Sequence, residues 1–107
     1  MRWPLFRVAV AEQSMEPALH PGDWLLVRRG TRARPGDLVI ADHPDKPGVL
    51  LVKRLARRLS DGSYWLESDN RAVIAVDSRR FGPVHGRHIR GKVLFRYRRG
   101  PSARRGG

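Results

Sequence analysis

Apolar residues in this chain fall into six short runs: LFRVAVA (5–11), WLLVRR (24–29), DLVIAD (37–42), VLLVKRLARR (49–58), SYWLES (63–68) and GKVLFRYR (91–98). Between them stand HPGD (20–23), RPGD (34–37), DKPG (45–48), SDG (60–62) and FGPVHG (81–86), where Gly permits positive φ and Pro presets a turn. Runs this short and this heavily punctuated predict strands, and hence an all-β fold. Alternation is clearest in SYWLE, with Tyr64 and Leu66 on one face and Trp65 on the other. In KVLFRY it places Val93, Phe95 and Tyr97 on one face. Only MEPALHPG (15–22) and, within the fourth run, RLARRL (54–59) have a spacing that would also suit a helical turn, and both are too short to stand alone. The PGD turns at 21–23 and 35–37 each lead into an apolar strand, as a pair of equivalent strand entries. The pattern predicts a small coiled β-sheet assembly or barrel.

Length adds that the 107 residues make one domain, with a core spanning 1–98 and a basic flexible tail over 99–107. The chain has no Cys, which excludes disulfides and thiolate metal sites. Its apolar runs are far shorter than the roughly 18 residues a membrane helix needs. In MRWPLFRVAV, Pro4 and Arg7 interrupt what would be a signal-peptide core, so the expected location is cytoplasmic. Net charge is +12, and Ser78 to Gly107 carries ten basic residues and no acid. Such a bias marks either a solvated basic face or an anionic partner. His20, His43, His85 and His88 lack zinc spacing and are expected on the surface, with no metal or cofactor.

Chemistry enters with two residues. Ser14 opens SMEPALHPGD, and Lys53, one of three Lys beside nineteen Arg, closes the apolar stretch GVLLVK. A serine hydroxyl becomes a nucleophile when a base takes its proton, and a lysine amine is that base only when neutral. An ordinary lysine titrates at about 10.4, so apolar surroundings must disfavour its charge. Val49, Leu50, Leu51 and Val52 offer such surroundings, and strand geometry turns Arg54 the other way.

SMEPALHPGD, RPGDLVI, LLVKRL, SDN and DSRRFGPV, in this order, resemble the type I signal peptidases and their LexA-like relatives, over about Val8 to Val93. The resemblance implies a coiled β-sheet core and a Ser14/Lys53 dyad in a serine endopeptidase. It also implies backbone N–H groups of Gln13 and Ser14 as the oxyanion hole. Substrate would lie extended between Val8–Glu12 and Leu50–Lys53, with Val10, Met15, Leu19, Leu51 and Val52 lining the pocket for the residue before the cut. Asp77 and Arg79 would pair and support the base, Gly82 would allow the turn after them, and Asp69 and Asn70 would fix their segment near Lys53.

The chain departs from the family pattern at Glu12, where a hydroxyl often serves the oxyanion hole, and at Ala75, where a serine often orients the lysine. Ser78 or Ser68 is the expected substitute. Thirteen residues before Ser14 are too few for a membrane helix, or for the DNA-binding and self-cleavage segments of a LexA-type repressor. The resemblance is nearest to the maturation peptidases of nickel superoxide dismutase, which implies a leader-bearing precursor of that dismutase as substrate. Processing of other exported proteins is the alternative within the family, and a catalytically inactive member follows from Glu12 and Ala75. From another class, a basic β-barrel could bind nucleic acid through Trp3, Trp24, Trp65 and the Arg-rich end.

Overall fold

The computed structural model describes residues 3–73 and 76–100. All six apolar runs are strands: β1 (Leu5–Ala9), β2 (Trp24–Arg29), β3 (Leu38–Asp42), β4 (Leu50–Arg58), β5 (Tyr64–Glu67) and β6 (Ile89–Arg98). They form one antiparallel sheet in the order β1-β2-β6-β3-β4-β5. A single helical turn, α1 (Ser78–Phe81), and a 3₁₀ turn at Gly86–His88 lie between β5 and β6.

The central strands bury both faces. Adjacent residues Val39 and Ile40 of β3 enter opposite clusters. One contains Leu55, Tyr64, Leu66, Val84 and Ile89, and the other Val10, Met15, Leu19, Leu25 and Val27. This explains the unbroken apolar run at β3, since a strand covered on both sides has no polar face to alternate with. Register irregularities in β2/β6, β3/β6 and β4/β5 bend the strands and coil the sheet.

One alternative is decided for the strand and one expectation is corrected. RLARRL continues β4 as far as Arg58 instead of turning helical, because Leu55 pairs with Leu66 and Arg58 with Tyr64. Buried Leu51, Lys53 and Leu55 alternate along it with a strand's period of two. In β6, Leu26 pairs with Phe95 and Val27 with Val93, so the extra residue Leu94 puts Val93 and Phe95 on opposite faces. Val93 packs against the core, whereas Phe95 is 53% exposed. By contrast, MEPALHPG does make one isolated turn, with Leu19 N–H donating to the Met15 carbonyl.

The chain beyond β6 returns to the turn before β2. Asp23, fully buried, accepts hydrogen bonds from the N–H of Gly100 (2.7 Å) and of His20 (2.9 Å). A Cβ on Gly100 would lie 2.5 Å from the Pro21 carbonyl oxygen, so only glycine fits there. Residues 101–107, most of the expected tail, lie outside the described residues.

Candidate active site

Ser14 sits in the turn that follows β1, and Lys53 in the middle of β4. Although 39 residues apart in sequence, Lys53 Nζ donates to Ser14 Oγ at 3.0 Å, and it also donates to Ser68 Oγ at 3.0 Å. All three residues are buried, Lys53 to 1% exposure. Burial pushes the Lys53 amine below its ordinary value of 10.5. The charges of Glu12 and Asp77 oppose that shift, and Arg79 assists it. A neutral amine here keeps an N–H on Ser68 and turns its lone pair toward the Ser14 hydroxyl.

Supporting contacts converge on the two segments that carry these groups. Asn70 N–H donates to the Ser14 carbonyl (2.8 Å), and its side-chain amide donates to the Gln13 carbonyl (3.0 Å). Both bonds hold the serine turn against the segment after β5. Arg54, on the opposite face of β4 from Lys53, donates to both carboxylate oxygens of Asp69, the shorter bond being 2.6 Å. Its own charge is thereby taken up away from the amine.

The Asp77–Arg79 pair forms, with Arg79 Nη2 2.7 Å from Asp77 Oδ2. The same carboxylate accepts from Ser68 N–H at 2.9 Å and caps α1 through Arg79 N–H at 3.0 Å. Burial alone would raise its pKa, but the hydrogen bonds from Arg79 and Ser68 outweigh that and hold it below the ordinary 3.8. Ser78 Oγ accepts from Leu66 N–H (2.8 Å), so of the two candidate serines it is Ser68 that touches Lys53. Gly82 closes α1 at φ +85°, with its N–H on the Ser78 carbonyl. Ala75 lies outside the described residues.

A family model described as Peptidase S24-like matches residues 3–94. The chain belongs to this family. Its relatives include mitochondrial inner membrane protease subunit 1 of Xenopus tropicalis, 33% identical over 78% of this chain and 63% of that protein. Subunit 2 of the same protease from Schizosaccharomyces pombe is 31% identical over 77% of this chain and 58% of its own. The human subunit 1 is 29% identical over 78% and 63%. The chain thus spans about three-fifths of the length of these relatives. Among the described residues no helix is long and apolar enough to cross a membrane.

In this S24-like core, the expected pocket residues Val10, Met15 and Leu19 are buried in one cluster, with Val52 packed against it. Leu51, also buried, lies on the other face of β4, the face of Lys53. The carbonyls of Gln13 and Ser14 are taken by Asn70, and their N–H groups find no acceptor among the described residues.

Three of the four histidines serve locally, whereas His20 is partly buried and its Nδ1 has no hydrogen-bond partner among the described residues. His43 and His85 accept backbone N–H bonds in their turns, and His88 faces Asp42. Trp24 is on β2, while Trp65 is on β5, under Arg57 and bonded to Glu67. Three strands separate these two tryptophans in the sheet, so they form no shared stacking platform. Asp23 lies in the first of the two PGD turns, and that repeat is the sequence signal for its buried role.

Proposed function

We propose that the chain is a serine endopeptidase that removes an N-terminal leader from a precursor protein, with Ser14 as nucleophile and Lys53 as general base. The buried 3.0 Å contact between Lys53 Nζ and Ser14 Oγ carries this reading. As Ser14 Oγ bonds to the peptide carbonyl carbon, its proton passes to the Lys53 amine, and the carbonyl oxygen becomes an oxyanion facing the Gln13 and Ser14 N–H groups. Collapse of the intermediate breaks the peptide C–N bond, and Lys53 returns the proton to the leaving amine. Water then attacks the acyl carbon as Lys53 takes its proton; the bond from the acyl carbon to Ser14 Oγ breaks, and Lys53 gives the proton to Ser14 Oγ, restoring the hydroxyl and the neutral amine. Ser68 holds the amine throughout by its hydrogen bond.

The precursor of nickel superoxide dismutase is the first substrate in this proposal, on the resemblance set out above. Processing of exported or membrane-associated proteins is the second, favoured by the names of the relatives as inner membrane protease subunits. Purified protein is incubated with each precursor and new N-termini are identified by mass spectrometry. Ser14→Ala and Lys53→Ala should each lower the rate at least about 10³-fold. Cleavage that persists in either variant excludes the dyad, and a wild type inert toward both precursors points to an inactive member.

A further inference from the structure

A cleft of about 940 Å³ opens where β1 and β4 begin, with Phe6 and Leu50 in its walls. Both strands lead on to the candidate active site, β1 to the turn of Ser14 and β4 to Lys53. Pleating places Phe6 and Val8 on one face of β1, with Val10 just beyond its end in the same cluster, and Leu50 and Val52 on one face of β4. Phe6, Val8, Val10 and Val52 meet in a single apolar cluster. Exposure grows along this track, from buried Val10 and half-buried Val52 to Leu50 at 40%. An apolar path therefore runs from the serine turn out into the cleft.

Most polar side chains of the cleft already have partners. Asp42 accepts from Arg90 Nε at 2.7 Å and faces His88 at 3.3 Å. His43 and His85 are held by backbone N–H groups, and Arg29 donates to the Trp3 carbonyl while lying over the Phe6 ring. The groups left to meet a ligand are mainly apolar, namely Leu50, Phe6, Phe81 and the prolines of the 44–47 turn. With Asp42 and Arg90 paired to each other, the remaining lining is largely apolar and favours an apolar occupant.

We propose that this cleft binds apolar side chains of the leader upstream of the cut, and so adds a specificity site to the peptidase. The inference rests on the proposed function for the direction of the substrate. Lys53 and Leu50 are three residues apart, about 10 Å of strand, so an extended substrate reaches the cleft from about the fourth residue before the cut.

The test uses Ser14→Ala protein, in which binding is read without turnover, and labelled peptides spanning the leader junction of the dismutase precursor. One peptide carries Leu and the other Ser at the fourth to sixth positions before the cut. The Leu peptide should bind about tenfold tighter, on the scale of burying one or two apolar side chains. Adding Leu50→Asp should abolish the difference, and methyl and ring NMR signals of Leu50, Phe6 and Phe81 in the Ser14→Ala protein should shift with the Leu peptide. Equal binding of both peptides, or a preference that survives Leu50→Asp in folded protein, overturns the proposal, as do unshifted signals. Cleavage of both peptides by the wild type without discrimination sinks the cleft alone. Discrimination without any cleavage sinks the catalytic reading and leaves the cleft as a peptide site.

Discussion

A lysine at 1% exposure is costly to the fold, and the cost has a pH signature. Burial holds the Lys53 amine below 10.5, so between that lower value and 10.5 the unfolded chain binds more protons than the native one. Stability therefore rises with pH across this window. Lys53→Met should raise the melting temperature at neutral pH, with a gain that shrinks as pH approaches 10.5, as followed by thermal denaturation. A constant gain at all pH values would show that Lys53 is not held below its ordinary value. Glu12 acts in the opposite sense, since its charge favours protonated Lys53. Glu12→Gln should thus move the rising limb of the kcat/KM profile to lower pH, and a limb that moves upward contradicts this electrostatic role. At this scale residue type, order and family resemblance singled out Ser14 and Lys53, and the structure brings the two side chains into contact. Selecting Ser68 over Ser78 required the side-chain directions set by β5 and α1.

Elements were legible wherever a strand's apolar run was bounded by Gly and Pro, which is why all six were found close to their ends. RLARRL misled because its Leu spacing suits a helical turn, whereas pairing with β5, invisible in the local sequence, sets its conformation. The Leu94 irregularity was hidden for the same reason, as it depends on the register of β2. The segment from Ser68 to Arg79 shows how elements position the site. One carboxylate, Asp77, anchors β5, caps α1 and binds Arg79. Asp77→Ala leaves the buried Ser68 N–H without its acceptor and removes the cap, a loss of roughly 2–4 kcal/mol. The half-exposed Arg79 pair adds little to this. Urea denaturation checks the value, and a change below about 0.5 kcal/mol would place the anchoring elsewhere.

The whole molecule carries +12 of net charge, which guarantees some attraction to polyanions whatever its function. Binding to single-stranded DNA should be weak and fall steeply between about 50 and 200 mM salt. Tight binding that withstands physiological salt would instead favour the nucleic-acid module. Global architecture was the least legible feature, because sheet order is not written in any single segment. It has one consequence in time. The turn between β1 and β2 carries the serine, β4 carries the lysine, and among the described residues strand pairing joins the two halves only through β6. A ribosome makes β6 last, so the strand ladder between the two halves is completed only after both have been made, and until then side-chain packing and the Asn70 bonds alone can join them.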